Sequence, residues 1–219
     1  GVHLVSEALR LAYADRNKYV ADADFVPLPG SGVATMLDKN YLKGRAGLIS
    51  MTQSMGTAQA GDLGPVPLGV DSTPENGTTH FTIVDKKGNA VSMTTTVEAG
   101  LGSYHMARGF LLNNQLTDFS DVPADKDGNP IANRLAPGKR PRSSMAPTLV
   151  FEKRADGSMG ALAMGTGSPG GATIIQYVTK TLVGVLDWNL DAQQATAMVD
   201  FGAANSPTTN VGGEHPNVA

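Results

Sequence analysis

The sequence predicts an α+β protein, because hairpin-forming segments and amphipathic helices occupy separate stretches of the chain. Residues 79–85 and 90–97 are rich in Thr, Val, Ile and Phe, and a turn-forming Lys-Lys-Gly loop lies between them. A second hairpin is predicted over residues 148–152 and 160–164, which flank the turn Ala-Asp-Gly-Ser. Other segments carry apolar residues at the spacing of helices instead.

Four helices are predicted from this spacing and from capping residues. Long apolar stripes predict helices over residues 2–19 and 172–186, and a short helix is expected over 34–47. Asp191 is a good N-cap for a last helix over 192–199. The chain between the first helix and the first hairpin is interrupted by many prolines and glycines, which predicts either a mobile tether or an ordinary surface loop.

The register of the first hairpin follows from its loop. If Gly88 supplies the left-handed residue, Asp85 lies opposite Asn89 and, further along, Thr78 lies opposite Thr96. Opposed side chains are close enough for hydroxyl groups to hydrogen-bond. Alternation along the second strand then places a polar series on one face, comprising Ser92, Thr94, Thr96 and Glu98. This pattern fits either a half-solvated strand rich in a good β-former or a functional polar face.

Composition excludes several kinds of function. The chain has 219 residues, no cysteine and a net charge of −3, so disulfides, thiolate metal sites and an electrostatic preference for nucleic acid are not expected. No apolar run approaches ~18 residues, so no membrane-spanning helix is predicted. The four histidines lack the spacing of metal ligands, and neither a metal nor a cofactor is expected. The basic run at residues 139–142 is predicted to be solvated surface.

A glycine-rich segment, Gly165 to Gly170, matches the pattern of a dinucleotide-binding loop, since it follows a strand and precedes a helix. The preceding strand belongs to a hairpin, however, and Pro169 removes a backbone N–H from the turn. Dinucleotide binding is therefore the more distant alternative for this segment.

Several motifs in the same order resemble the γ-glutamyltranspeptidase family: Gly-Thr-Thr-His-Phe at 77–81, the following VDKKGNAVS, LLNNQLTDFS, RPRSSMAP, SPGG and the early AYADR. The resemblance implies an N-terminal nucleophile (Ntn) hydrolase fold, an αββα four-layer sandwich that is incomplete in this stretch. It also implies that residues 1–77 are the end of a large subunit with its linker. Residues 78–219 would then be most of the small-subunit catalytic core.

The resemblance also implies a catalytic set. The chain would cleave itself between Gly77 and Thr78, and the freed amine of Thr78 would act as base for its own hydroxyl. Thr96 would orient that hydroxyl. The backbone N–H groups of Gly170 and Gly171 would hold the oxyanion, which suits residues without a side chain. His80 is expected to be a structural neighbour of the nucleophile rather than its base.

Polar side chains of two further motifs are implied to bind substrate. Gln115 and Asp118 would receive the α-ammonium group of a γ-glutamyl donor, and Ser143 and Ser144 would donate to its α-carboxylate. On the residues alone, both pairs would be interpreted as loop caps. Glu98 departs from a common family pattern with Asn at this point, and a carboxylate there favours an ammonium group.

The implied activity is hydrolysis or transfer of the γ-glutamyl group of glutathione and related compounds, with water or an amino acid as acceptor. The partners would be the large and small subunits of one precursor, and the compartment would be the periplasm or the exterior. A cephalosporin or glutaryl acylase of the same superfamily is the alternative enzyme. A catalytically inactive relative that only binds is the non-enzyme alternative.

Overall fold

A computed structural model of the chain describes residues 1–71, 73 and 77–212. The described chain forms two compact units. The first unit contains the residues up to 73 together with 115–143 and 201–212, and the second contains 77–114 and 144–200. The helices are α1 Val2–Tyr19, α2 Val33–Met36, α3 Lys39–Ala46, α4 Ile174–Leu186 and α5 Ala192–Ala197. The strands are β1 Thr79–Val84, β2 Ala90–Thr95, β3 Met106–Ala107, β4 Phe110–Leu111, β5 Thr148–Lys153, β6 Met159–Thr166, β7 Phe201–Gly202 and β8 Asn210–Val211.

Helix α1 is the centre of the first unit and has the predicted bounds. Its apolar side packs Leu11 and Ala14 against Ala58, so the segment after α3 is part of the core. The helix also buries charge: Arg10 donates to Glu7 at 2.5 Å and to the carbonyl oxygen of Ser206 at 2.9 Å. Buried charges of this kind are stable only when paired and hydrogen-bonded, as here.

The prediction of a single helix over 34–47 is wrong in one respect, because the structure has two short helices there. Helix α2 ends at Met36, and α3 begins after Asp38, whose carboxylate accepts 2.9 Å hydrogen bonds from the N–H groups of Asn40 and Tyr41. An aspartate that satisfies these N–H groups is a strong N-cap, which starts a new helix rather than continuing the previous one.

Strands β1 and β2 of the second unit form the predicted hairpin. Thr79 pairs with Thr95 and Val84 with Ala90, and the Asp85 N–H donates to the Asn89 carbonyl oxygen at 2.9 Å, so the predicted register is confirmed. The polar face of β2 is the more buried one: Ser92 donates to the carbonyl oxygen of Thr166 in β6 at 3.2 Å. The polar series is therefore not a solvated edge.

The second hairpin pairs β5 with β6 in antiparallel fashion, with two irregularities in its register. Helix α4 follows β6 after one 3₁₀ turn, and α5 begins with a capping box in which Asp191 and Gln194 bond each other's backbone. Lys180 of α4 is buried and forms a 2.6 Å ion pair with Asp200. Antiparallel hairpins and separate helices confirm the α+β class.

Three short strands were not predicted. These are β3, β7 and β8; β3 pairs with β4, and β7 pairs with β8. Each of these pairs contains only two residues per strand, too few for an alternating pattern to be visible in the sequence. Across the described residues, no helix combines the length and apolar character needed to cross a bilayer.

Candidate active site

The hydroxyl groups of Thr78 and Thr96 converge on one backbone carbonyl at the open end of the first hairpin. Thr96 Oγ1 donates to the carbonyl oxygen of Gly77 at 2.6 Å, and Thr78 Oγ1 donates to the same oxygen. The Glu98 N–H in turn donates to Thr96 Oγ1 at 2.7 Å, which leaves the single hydrogen of that hydroxyl for the carbonyl. Hydrogen bonds in such a chain polarise one another, which strengthens the bond from Thr96 to the carbonyl oxygen of Gly77.

Gly77 is required by its surroundings. Its φ of +26° lies outside the range that residues with a side chain usually adopt. A Cβ atom on Gly77 would also overlap the carbonyl oxygen of Glu98. The close approach of the two backbones is what brings the carbonyl of Gly77 to the hydroxyl of Thr96.

Glu98 is buried at 4% exposure and adopts a φ of +70°, an uncommon conformation for a residue with a side chain. Its carboxylate accepts a 2.7 Å hydrogen bond from the Asn114 side chain, and the Asn114 oxygen accepts from the Ala99 N–H at 2.9 Å. Asn114 thus fixes both the backbone and the carboxylate of this corner. No pattern in the sequence had identified Asn114 as a residue of the site.

The glycines before α4 have packing roles that a phosphate-binding loop would not require. A Cβ atom on Gly165 would overlap Thr82, and one on Gly167 would overlap the imidazole of His80. His80 lies between the hydroxyls of Thr94 at 2.9 Å and Thr82 at 3.2 Å, and burial lowers its pKa. His80 is thus held by hydroxyl groups of both strands of the hairpin, and its role beside Thr78 stays a prediction.

Gly170 and Gly171 lie where the chain turns into α4. Gly170 has a φ of +137°, and its carbonyl oxygen accepts from the N–H and the hydroxyl of Thr173 at 3.0 and 2.6 Å. The first N–H groups of a helix lack intrahelical acceptors and carry the positive end of its dipole. Backbone N–H groups at this turn suit the binding of a developing negative charge.

The first unit contains Gln115 and Asp118, which form one 3₁₀ turn. Gln115 Nε2 donates to Asp118 Oδ2 at 2.5 Å, and Asp118 is buried at 5% exposure. Asn133, which is fully buried, donates from Nδ2 to the carbonyl oxygen of Asp118 at 2.7 Å. The pair is thus brought together with a fixed orientation.

The prediction that residues 139–142 are solvated surface is wrong for two of the three basic side chains. Arg140 is exposed, but Lys139 and Arg142 are buried, and Arg142 forms a 3.1 Å ion pair with Asp71. Burial disfavours the charged form of Asp71, but the N–H of Thr73, the amide of Asn133 and the cation of Arg142 outweigh it and lower the pKa of that carboxyl. The segment before the hairpin is therefore anchored at Asp71 rather than being a free tether.

The predicted serine pair is divided between the units. Ser143 is exposed at the end of a segment of the first unit, whereas Ser144 is buried at the start of a segment of the second. In the second unit, Thr78 and Thr96 are linked through the carbonyl oxygen of Gly77, and Glu98 bonds Thr96 directly. The described residues contain no group of three or more His, Asp or Glu side chains arranged to hold a metal ion.

The α+β fold thus combines a threonine hydroxyl that contacts a backbone carbonyl with a glycine turn at the start of a helix. The γ-glutamyltranspeptidase family profile matches residues 1–217. The chain belongs to this family.

The sequences of two curated relatives agree with this assignment, and one solved structure is also similar. The chain is 37% identical over 205 residues to the glutathione hydrolase proenzyme of Pseudomonas sp. strain A14, covering 89% of this chain and 32% of the relative. It is 33% identical over 196 residues to the acylase ACY 1 proenzyme of Pseudomonas sp. strain V22, covering 89% and 31%. The solved γ-glutamyltranspeptidase of Pseudomonas nitroreducens is 39% identical, with a TM-score of 0.48 and coverage of 56% of this chain and 64% of that one. The chain spans about a third of the length of the curated relatives.

Proposed function

We propose that this chain is the central part of a self-processing threonine enzyme that cleaves γ-glutamyl amides such as glutathione. The glutamyl group is passed to water or to the amine of an amino acid. The observation that carries the proposal is the shared hydrogen bonding of Thr78 and Thr96 to the carbonyl oxygen of Gly77. Family membership and the glutathione hydrolase relatives support the substrate class.

The first reaction is maturation. Thr78 Oγ1 attacks the carbonyl carbon of Gly77, the C–N bond to Thr78 breaks, and the proton of the hydroxyl passes to the departing amine. Water then hydrolyses the resulting ester, leaving a carboxylate on Gly77 and a free amine and hydroxyl on Thr78. The 2.6 Å hydrogen bond from Thr96 supports this step, because it stabilises the negative charge that forms on the attacked oxygen.

The second reaction is turnover by the matured enzyme. The α-amine of Thr78 accepts the proton of its own hydroxyl, and an α-amino pKa of about 7.7–8.0 leaves a useful fraction unprotonated at neutral pH. The hydroxyl attacks the γ-carbonyl carbon of the donor, and the N–H groups of Gly170 and Gly171 receive the oxyanion. The amine of the donor leaves with a proton, and water or an acceptor amine then cleaves the glutamyl ester.

Recognition of the donor requires acceptors for an ammonium group and donors for a carboxylate. Asp118 and Gln115 are assigned to the ammonium group, with Glu98 as a further carboxylate, and Ser143 and Ser144 to the α-carboxylate. The burial of Asp118 supports its role, since a buried carboxylate favours a cationic partner. Residues 1–77 and 78–219 would be parts of the large and small subunits, and this boundary stays a prediction because it describes a covalent cut.

The complete protein is proposed to form the αββα sandwich of the Ntn hydrolases and to act in the periplasm or outside the cell. The exposed apolar side chains of Ile83, Val91 and Met93 on the outer face of the first hairpin support the presence of a further covering layer. The length of the relatives agrees with this, as they contain about three times as much chain.

Intact-mass measurement and N-terminal sequencing of the full-length protein test the proposal. A subunit that begins at Thr78 is expected, and Thr78→Ala should remain a single chain. Thr79→Ala is the matched control, because Thr79 is exposed and belongs to the paired strand. A wild-type protein that stays uncut and still hydrolyses a γ-glutamyl amide would contradict the proposal.

The second candidate function is that of a glutaryl or cephalosporin acylase. The 33% identity to the acylase ACY 1 proenzyme favours it, and the maturation chemistry would be the same. The two candidates differ in whether the donor carries an ammonium group, so a comparison of γ-glutamyl and glutaryl anilides separates them.

A further inference from the structure

The buried charge pair of the first unit has no part in the reactions described above. Asp71 and Arg142 are joined at 3.1 Å, and their side chains are 1% and 2% exposed. Asp71 lies in the segment before the cleavage site, whereas Arg142 directly precedes Ser143. Removing two charges from water is costly, and such a pair often stabilises a fold no better than apolar residues of similar size would. Its position beside residues assigned to substrate binding suggests a role in positioning.

Asn133 connects this pair to the substrate-binding residues. Its Nδ2 donates to Asp71 Oδ2 at 3.0 Å and to the carbonyl oxygen of Asp118 at 2.7 Å, and its Oδ1 accepts from the Arg142 N–H at 2.8 Å. The orientation of the amide is thereby determined, since a flipped amide would direct its donors at the N–H of Arg142. One side chain thus holds the backbone of Asp118 and the residue next to Ser143.

Asp71 is itself held by backbone contacts. Its N–H donates to the carbonyl oxygen of Asn17 at the end of α1 at 3.1 Å, and its carboxylate accepts from the Thr73 N–H at 3.0 Å. These contacts would survive a cut between Gly77 and Thr78, because they lie on the amino-terminal side of it. The end of the large subunit would then stay in place after maturation.

We propose that Asp71 is a positioning residue for γ-glutamyl binding, acting through Asn133 and Arg142 on Asp118 and Ser143. The segment before the cleavage site thus remains a working part of the matured enzyme. This inference rests on the proposed function, because it assigns a donor-binding role to Asp118 and Ser143. It adds that the large subunit determines how the small subunit holds the glutamyl group.

The test uses the full-length protein and Asp71→Asn, which keeps the shape of the side chain and removes its charge. Asp24→Asn is the matched control: Asp24 forms a 2.8 Å ion pair with Arg140, but both side chains are more than two-thirds exposed, at 78% and 73%. KM for a γ-glutamyl anilide and kcat per titrated active site are measured after maturation, together with Ki for free glutamate.

In Asp71→Asn, KM and Ki should rise about 10-fold or more with kcat per active site nearly unchanged, since small displacements of positioning groups have large effects. The control should match the wild type. The double variant Asp71→Asn with Arg142→Gln, which replaces the pair by two neutral amides, should recover part of the loss. A general loss of folding would instead lower the number of active sites and leave KM unchanged, which would overturn the proposal.

Hydrogen exchange of the matured wild-type enzyme provides a measurement that needs no variant. The N–H of Asp71 should be protected after cleavage, because its bond to Asn17 persists. Rapid exchange at Asp71 in the cleaved enzyme would overturn the inference even if Asp71→Asn did not fold. Failure of the proposed function is distinguishable, since the wild type would then show no cleavage or no γ-glutamyl hydrolysis.

Discussion

The hydroxyl of Thr96 donates a 2.6 Å hydrogen bond to the carbonyl oxygen of Gly77, nineteen residues earlier in the chain. The antiparallel pairing of β1 and β2 makes this contact possible, because it returns the chain to its starting point. The same hydroxyl accepts from the Glu98 N–H, so its direction is fixed before any reaction begins. This bond leads to the first two predictions.

Thr96→Ala should slow both self-cleavage and turnover, on the order of 10²-fold for the loss of one positioned partner of the reacting group. The rate of appearance of the small subunit by mass spectrometry measures the first effect, and anilide hydrolysis measures the second. Thr96→Ser should retain most of both, because it keeps the hydroxyl.

Thr95→Ala is the control for this experiment. Thr95 is exposed on the opposite face of β2, so its replacement should alter stability slightly and leave the cleavage rate unchanged. Equal slowing by the two alanine variants would contradict the role of Thr96.

Gly77→Ala should block maturation, because the added Cβ atom would overlap the carbonyl oxygen of Glu98 and displace the carbonyl that Thr78 attacks. Gly88→Ala is the matched control: Gly88 also has a positive φ, of +83°, but a Cβ atom there meets nothing within 4 Å. Gly88→Ala should lower the stability of the protein by about 1–2 kcal/mol through backbone strain, but the protein should still cleave itself. Gel electrophoresis of both proteins after purification distinguishes them, and normal cleavage of Gly77→Ala would show that the close approach is not needed.

Asp118→Ala should lower kcat/KM for hydrolysis of a γ-glutamyl anilide. The expected loss corresponds to about 2–5 kcal/mol of binding free energy, the usual cost of truncating one partner of a buried, hydrogen-bonded charge pair. Hydrolysis of the glutaryl anilide should be unchanged or faster, because that donor has no ammonium group to pair with the carboxylate. If the wild type prefers the glutaryl donor, the acylase assignment is correct and the role of Asp118 is lost.

The stability difference between the wild type and Asp71→Asn should depend on pH. The pKa of Asp71 is lower in the folded state than in the unfolded state. The ionised carboxylate therefore contributes fully to the free energy of unfolding above the unfolded-state pKa of about 3.9, and this contribution is lost as the pH falls through the folded-state pKa. At pH 7 the substitution breaks a buried ion pair, which costs up to about 3–5 kcal/mol. The urea midpoints of the two proteins should converge below about pH 4, and a constant difference down to pH 2 would contradict the assignment.

Local patterns in the sequence determined the elements near Thr78. The Lys-Lys-Gly loop fixed the register of the first hairpin, and hence the nearness of Thr78 and Thr96, because pairing in a hairpin follows from loop length. Apolar spacing gave α1 with its observed bounds, and Asp191 marked the start of α5. These features depend on interactions between residues that are close in the chain, so they can be predicted from the sequence.

Tertiary structure alone decided the burial of Arg142, its pairing with Asp71 and the bridging by Asn133. A basic residue in a polar loop is usually exposed, and nothing near residue 142 indicates a carboxylate at residue 71. The energy of a buried charge depends on groups that other segments bring to it, since an unpaired charge in the same place would be unstable. The sequence by itself therefore set the register that brings Thr78 and Thr96 to one carbonyl group, whereas the fold decided which charges are buried beside Asp118 and Ser143.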